Sequence, residues 1–207
     1  TLGIEMLRAE PTLDELVIPI GGGCLIAGIA TAAKHLKPGI VVTGVQVERF
    51  ALVYDALKGT EHPVGAGSIA EGIAVNRLGN RTLPMIRERV DDVMLVDEGD
   101  IERAILMLLE IEKTVVEGAG AAGLAAVLRD PARFRDRRVG LVLCGGNIDP
   151  RMSWEIMGLL NEINKRKTTV LVVSHEKNLV NAMKKRVIYL ENGRIVSDRL
   201  EGRYSAR

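Results

Sequence analysis

Two short glycine-rich loops contain the residues of this chain that could do chemistry. The first loop, Gly21-Gly22-Gly23-Cys24, stands between an apolar run and an Ala-rich segment. Glycine has no Cβ, so backbone N–H groups can converge there, and the N-terminus of a following helix adds partial positive charge. The spacing is typical of an anion site. It is equally typical of a tight strand-to-helix turn that needs glycine for its geometry alone.

The second loop, Cys144-Gly145-Gly146-Asn147, runs into Ile148-Asp149-Pro150. Asp149 and Pro150 fit the N-cap and the first position of a helix. The glycine order of the first loop is not G-x-G-x-x-G, and no Gly-Lys-Ser/Thr follows it. The sequence therefore excludes the dinucleotide-binding fingerprint and the P-loop at that position.

Predicted strands and helices alternate along the chain, and they position these two loops. Short apolar runs bounded by turn residues predict strands at Leu16–Ile20, Ile40–Val47, Val93–Val96, Val139–Leu143, Thr169–Val173 and Arg186–Leu190. Amphipathic or small-residue patterns predict helices at Leu25–Leu36, Asp100–Lys113, Gly120–Leu128 and Met152–Ile163. The first residues also read as helix, and Glu191-Asn192-Gly193-Arg194 indicates a type I′ hairpin.

Alternating strands and helices, with strands apolar on both faces, favour one fold class. We expect an α/β fold in which a mostly parallel sheet is flanked by helices in a Rossmann-like three-layer arrangement, with a C-terminal β-hairpin. The chain has 207 residues, of which 47% are hydrophobic, and this supports a substantial core.

Composition limits the partners that the chain can have. Residues 1–150 carry 16 basic and 21 acidic side chains, a net charge of −5, whereas residues 151–207 carry 12 and 6, a net charge of +6. The basic residues of the second part are scattered with few aromatics, which favours a solvated face over a nucleic-acid site. No apolar run is long enough for a membrane span and no signal peptide is evident, so we expect a cytoplasmic protein with free thiols at Cys24 and Cys144.

Four motifs in the first 150 residues resemble one enzyme family. Gly21-Gly22-Gly23-Cys24-Leu25-Ile26-Ala27-Gly28 is similar to the tetraglycine phosphate loop of the fold-type-II pyridoxal-phosphate (PLP) enzymes. The segments that narrow the resemblance to the serine/threonine dehydratases, or threonine ammonia-lyases, are Val45–Glu48, Ser68–Val75, Val116–Ala122 and Leu143–Asn147.

This resemblance implies a cofactor and the residues that hold it. The loop Gly21, Gly22, Gly23, Cys24 and Leu25 would cradle the phosphate of PLP, with Cys24 replacing a fourth glycine but keeping its backbone donor. Cys144 matches the Ser/Cys that faces the pyridine nitrogen. Gly72 and Glu117 would line the pocket.

Two features of the family are missing from the sequence. Its Schiff-base lysine and Ser-Gly-Asn loop belong to an N-terminal half, and Lys34, Lys37, Lys58 and Lys113 lack the expected small-residue context. The metal site of some relatives begins with a Glu, as Glu48 does here, but Val53 and Tyr54 stand where a carboxylate is expected and Asp55 comes late. We therefore predict neither a catalytic lysine nor a metal site.

From Asn147 onward the sequence resembles another family, the cell-division ABC ATPase FtsE. The similar segments are Asn147–Met157, with its Ser-Trp-Glu-Ile-Met run, Val170–Glu176 and Lys184–Gly193. The resemblance places Asp149 in the D-loop and makes His175 the switch histidine, although a histidine there also fits a helix cap or a surface. The Walker A lysine and the signature motif are absent, and Val142 and Leu143 replace the Walker B carboxylates, so we expect no ATP hydrolysis.

The chain is therefore interpreted as a hybrid of a dehydratase-like segment, residues 1–150, and an ABC-ATPase-like segment, residues 151–207, packed on the same sheet. Three functional hypotheses remain open. The first is a structural hybrid without complete catalytic activity. The second is a residual PLP- or phosphate-binding module, or a dehydratase part that needs a separate lysine-bearing half, and the third is a regulatory or nucleotide-binding domain. A small phosphate-bearing ligand is the expected partner. Surfaces that are covered in the two families would be exposed in the hybrid, and this favours a homodimer or domain swapping.

Overall fold

The computed structural model of the chain describes residues 2–112, 114–144, 157–158, 161, 164–165, 177–191 and 194–200. It divides into two compact units, Thr1–Asn147 and Ile148–Arg207. The predicted helix Met152–Ile163, apart from isolated positions, and the predicted strand Thr169–Val173 lie outside the described residues, as do Asp149 and His175. None of the helices in the described parts of the chain combines the length and the apolar composition that crossing a bilayer requires.

The first unit alternates helices and strands, as the sequence predicts. Its strands are β1 Glu15–Pro19, β2 Val41–Val47, β3 Asp92–Val96 and β4 Val139–Leu141. Its helices are α1 Leu2–Ala9, α2 Cys24–Leu36, α3 Leu52–Lys58, α4 Thr82–Arg89, α5 Glu98–Glu110 and α6 Gly118–Arg129. Short 3₁₀ turns follow β2 at Glu48–Phe50 and precede α4 at Glu71–Ile73.

The four strands form one parallel sheet in the order β3-β2-β1-β4. Every residue of the central strand β1 is buried, because helices cover both faces of a parallel sheet. Leu16 and Ile18 pack into the cluster that contains the buried residues of α1 and α2. Between them Val17 faces α6, where a Cβ on Gly123 would lie 3.9 Å from its side chain. The predicted α/β fold with a helix-flanked parallel sheet is confirmed.

Several element boundaries differ from the predicted ones for local reasons. Helix α5 begins two residues earlier than predicted, because Asp97 caps it: Asp97 Oδ1 accepts the N–H of Asp100 at 2.8 Å, and Asp100 Oδ2 accepts the N–H of Asp97 at 3.1 Å. Strand β4 ends at Leu141 rather than Leu143, where its pairing with β1 stops.

A buried ion cluster fixes the start of the sheet. The Glu15 carboxylate is fully buried, accepts a hydrogen bond from Thr43 at 2.6 Å and pairs with Arg137 at 2.9 Å. Arg133 pairs with Asp92 at 2.6 Å. Burial raises the pKa of Asp92, but hydrogen bonds from Arg133 and Lys58 outweigh it and hold this pKa below its usual value.

The described part of the second unit contains helix α7 Lys177–Met183 and strands β5 Val187–Glu191 and β6 Arg194–Arg199. The strands pair antiparallel, with Glu191 opposite Arg194. Arg186 donates to Asp198 at 2.8 Å across the hairpin. The predicted C-terminal hairpin is confirmed, and its turn residues Asn192 and Gly193 lie outside the described residues.

Candidate functional site

An open cavity of about 350 Å³ lies at the carboxyl end of β1, where α/β proteins commonly bind ligands. Its lining comes from the first glycine loop, the 3₁₀ turn Glu71–Ile73, the start of α6 and the segment after β4. The lining residues are Pro19, Gly21, Gly22, Gly23, Cys24, Leu25, Gly72, Ile73, Glu117, Ala119 and Cys144.

The structure brings together all eight residues that the resemblance assigns to the cofactor pocket, since each of them lines this cavity. Pro19, Ile73 and Ala119 line it as well and were not predicted. A signal for them existed: Pro19 lies two residues before Gly21, the first residue of the glycine loop, and the other two lie inside quoted motifs. The roles of these residues toward a cofactor remain predictions.

Each glycine of the first loop has a different steric surrounding. Gly23 has a φ of +89°, a conformation that favours glycine, and a Cβ there would lie 2.8 Å from Ile86 Cδ1. A Cβ on Gly21 would lie 3.1 Å from the carbonyl oxygen of Gly72. A Cβ on Gly22 would meet no atom within 4 Å, so this position opens onto free space. The loop is thus fixed at its two ends and open in its middle.

The loop presents hydrogen-bond donors to the cavity. It leads into α2, whose first N–H groups, including those of Cys24 and Leu25, have no carbonyl acceptor within the helix. The first turn of α2, all of whose residues the structure describes, contains no acidic residue. The positive end of the helix dipole is therefore not neutralised by a neighbouring carboxylate of that turn. Thr82, the first residue of α4, donates to the carbonyl oxygen of Gly22 at 2.9 Å. These features fit the phosphate of PLP.

The N-terminus of α6 forms a second wall of the cavity, through Glu117 and Ala119. Glu117 is the N-cap of α6, and Ala119 follows in its first turn. A Cβ on Gly120 would lie 2.3 Å from the carbonyl oxygen of Cys144, so only glycine allows this approach. Gly118 allows a similar approach, since a Cβ there would lie 2.3 Å from the carbonyl oxygen of Ile69.

Cys144 is half-buried at the edge of the cavity. Burial raises the pKa of its thiol, and the charge of Glu117 raises it further. The sulfur lies 3.9 Å from the carbonyl oxygen of Ala119, to which it can donate. The thiol is therefore neutral near pH 7. Cys24, which also lines the cavity, is exposed. Both cysteines are free.

None of the described side chains that line the cavity is a lysine. Lys34 pairs with Asp91 at 2.7 Å, and Lys37 donates to the carbonyl oxygen of Leu13. Lys34 lies in the last turn of α2 and Lys37 is its C-cap, about 15–20 Å along the helix axis from the glycine loop. Lys58 pairs with Asp92 at the start of β3, and Lys113 lies outside the described residues.

The two carboxylates considered for a metal site have other partners. Glu48 pairs with Arg129 at 3.0 Å. The Asp55 carboxylate contacts His62 Nδ1 at 2.5 Å and accepts a hydrogen bond from Thr60 at 2.8 Å. Within the described residues, no group of three or more His, Cys, Asp or Glu side chains is placed to hold a metal ion.

Comparison with known proteins identifies relatives of the first unit. L-threonine ammonia-lyase of Thermotoga maritima is 40% identical over 154 residues, which are 73% of this chain and 38% of that protein. Serine racemase of Arabidopsis thaliana is 39% identical over 163 residues, which are 75% of this chain and 49% of that protein. The chain thus spans less than half the length of these relatives.

Comparison with solved structures gives a similar result. The crystal structure of a threonine deaminase from T.th. matches with a TM-score of 0.65 and 36% identity, over 71% of this chain and 56% of the other. A family model described as pyridoxal-phosphate dependent enzyme matches residues 1–145. The predicted resemblance to the PLP-dependent dehydratases is therefore confirmed for this part of the chain, and PLP is the cofactor that defines the family. The chain belongs to the pyridoxal-phosphate dependent enzymes.

Proposed function

We propose that residues 1–145 form the phosphate-binding part of a PLP-dependent threonine/serine dehydratase site. The observation that carries this proposal is the cavity in which the open glycine loop, the N-terminus of α2 and Cys144 converge. The glycine loop suits an anion such as a phosphate, because a Cβ on Gly22 would meet no atom within 4 Å and the first N–H groups of α2 have no acceptor within the helix. The relatives named above support the choice of cofactor.

The glycine loop, Thr82 and Cys144 then have defined roles in binding the cofactor. The N–H groups from Gly21 to Leu25 bind the phosphate, and Thr82 orients the loop through the carbonyl oxygen of Gly22. Cys144 offers a neutral thiol to the ring nitrogen, as the family resemblance implies, since its pKa is raised. PLP, when bound, supplies the electron-withdrawing ring that lyase chemistry at an amino acid requires.

We further propose that this site needs a lysine from outside the described residues to eliminate ammonia from threonine or serine. The described lysines of the first unit pair with other groups away from the cavity. A lysine gives the cofactor its covalent attachment and a general base. PLP binding without lyase turnover is the expected behaviour of the chain, and adding a lysine-bearing N-terminal half of a dehydratase should restore turnover.

A matched pair of variants tests the proposed site. Gly22→Asp places a carboxylate in the loop at a position without steric conflict, and Gly28→Asp places the same group on exposed α2 surface, also without a neighbour within 4 Å. Titration with PLP, followed by absorbance, should show a much weaker Kd for Gly22→Asp and a smaller change for Gly28→Asp. Equal affinities for the two variants would refute phosphate binding at the loop.

The hybrid interpretation of the whole chain also remains a proposal. It is supported by the division into units at Asn147 and by a family match that ends at residue 145. The resemblance of residues 151–207 to the ABC ATPase FtsE is part of this proposal. If that segment retains nucleotide binding, ATP will raise the melting temperature of the chain; we expect no such rise, because the phosphate-binding motifs of an ATPase are missing.

A further inference from the structure

One wall of the cavity comes from a long segment with little regular structure. The chain between α3 and α4 contains a single 3₁₀ turn, Glu71–Ile73, and this turn supplies Gly72 and Ile73 to the lining. Irregular segments of this length in compact domains commonly have a functional role. The shape of the cavity therefore depends on what holds this segment in place.

The peptide groups of Ile69 are held from two directions. Its N–H donates to Glu98 Oε2 at 2.9 Å. Its carbonyl oxygen lies against α6, where a Cβ on Gly118 would come within 2.3 Å of it. Glu98 is the first residue of α5 and Gly118 is the first residue of α6. Ile69 is thus fixed between the starts of two helices, three residues before Gly72.

Glu98 is itself on a rigid support. It follows Asp97, which forms the reciprocal capping box with Asp100. Arg129, the last residue of α6, pairs with Asp97 at 3.2 Å and also with the nearly fully buried Asp100. Helix α6, whose start also lines the cavity, therefore stabilises the start of α5. Both walls are connected through these side chains.

We propose that Glu98 is a positioning residue for the cofactor cavity: its carboxylate holds the N–H of Ile69 and thereby sets the place of Gly72 and Ile73. The inference rests on the proposed function for its biological meaning and on the geometry of the first unit for its mechanism. Glu98 does not line the cavity, so its effect on a ligand must pass through the segment that it anchors.

Substitutions at Glu98 separate the anchoring bond from general stability. Glu98→Ala removes the acceptor of Ile69. Glu98→Gln keeps an amide oxygen for Ile69, and its nitrogen can take the place of Oε1, which has no hydrogen-bond partner among the described residues. Glu102→Ala, one turn further along α5 and exposed, is the matched control.

Two readouts need no cofactor. Hydrogen exchange of the Ile69 amide should become about tenfold faster in Glu98→Ala, since a hydrogen bond to a charged group corresponds to roughly that factor in an opening equilibrium. Iodoacetamide should modify Cys144 faster in the same variant, because Gly72 and Ile73, which line the same cavity beside Ala119, are released. Glu98→Gln should restore both rates toward wild type, and Glu102→Ala should leave them unchanged.

The third readout is the Kd for PLP, which should weaken in Glu98→Ala and recover in Glu98→Gln. Unchanged exchange at Ile69 in Glu98→Ala, or faster exchange with unchanged Cys144 reactivity, would overturn the positioning role. If the wild-type chain fails to bind PLP, the proposed function fails, and the two cofactor-free readouts still decide the role of Glu98. An equal loss in Glu102→Ala would also overturn the proposal, because it would indicate general destabilisation of α5.

Discussion

The carbonyl oxygen of Cys144 occupies the space beside Gly120 that any larger side chain would need, 2.3 Å from the position of a Cβ. This contact brings the segment after β4 against the start of α6, so that Cys144, Glu117 and Ala119 share one cavity. The Val116 side chain lies there as well, 2.5 Å from the same Cβ position, so a backbone contact and a side-chain contact together require glycine at position 120.

Gly120→Ala should destabilise the first unit. The added methyl group must displace the backbone of Cys144 and the side chain of Val116. Overpacking of this kind costs about 1–3 kcal/mol in the free energy of unfolding. Gly28→Ala is the control on α2, since no atom lies within 4 Å of its Cβ position. It should stabilise by about 0.5–1 kcal/mol. Urea denaturation measures both, and a neutral Gly120→Ala would contradict the close approach.

The two cysteines should react at different rates. Cys24 is exposed, whereas Cys144 is half-buried and its pKa is raised by burial and by Glu117. Because the thiolate is the reactive form, iodoacetamide at pH 7.5 should modify Cys24 first. The rate at Cys144 should keep rising with pH above the range of an ordinary thiol. Peptide mass spectrometry follows each site, and Glu117→Gln should lower the pKa of Cys144 and shift its profile to lower pH.

Arg129 should contribute to stability through the buried Asp100. Burial raises the pKa of Asp100, but hydrogen bonds from Arg129, the Asp97 N–H and Arg103 outweigh it and hold the pKa below its usual value. Arg129→Met should lower the free energy of unfolding at pH 7 by about 1.5–3 kcal/mol, as expected for a lost hydrogen bond between charged groups. Exposed Arg135→Met is the control and should change it by less than about 0.5 kcal/mol.

The pH dependence of the Arg129→Met effect follows from the direction of that shift. A carboxyl whose pKa is depressed by folding stabilises the folded state above its unfolded pKa of about 3.9, and this contribution is lost as the pH falls through the lower folded value. The difference between wild type and Arg129→Met should therefore be full at pH 6–7 and shrink below about pH 4. A difference that does not change with pH would indicate lost packing rather than the ion pair.

Much of this fold could be predicted from the pattern of apolar residues. The central strands β1 and β2 are mostly apolar on both faces, and this pattern predicts buried parallel strands. Helices α2 and α6 are rich in small residues, which predicts helices that pack closely. Helices α3 and α4 were not predicted. The sole buried residue of α4 is Ile86, and Pro84 and four charged or polar neighbours obscure its pattern. The order of strands in the sheet depends on tertiary contacts and could not be read from the sequence.

The candidate site could likewise be predicted from the sequence only in part. The glycine loop and the motif around Glu117 could be found because they require particular residue types at a fixed spacing. The anchoring of Ile69 by Glu98 could not be found, because a carboxylate at the first position of a helix is favourable anywhere in a protein. Its partner, a backbone N–H, leaves no trace in the sequence.

The most direct test of the account compares PLP with pyridoxal, which lacks the phosphate, by calorimetric titration of the wild-type chain. The central claim is that the loop from Gly21 to Leu25 binds the phosphate of the cofactor. We predict that PLP binds, that inorganic phosphate competes with it, and that pyridoxal binds far more weakly. Equal affinities for PLP and pyridoxal, or PLP binding that inorganic phosphate does not reduce, would contradict the claim.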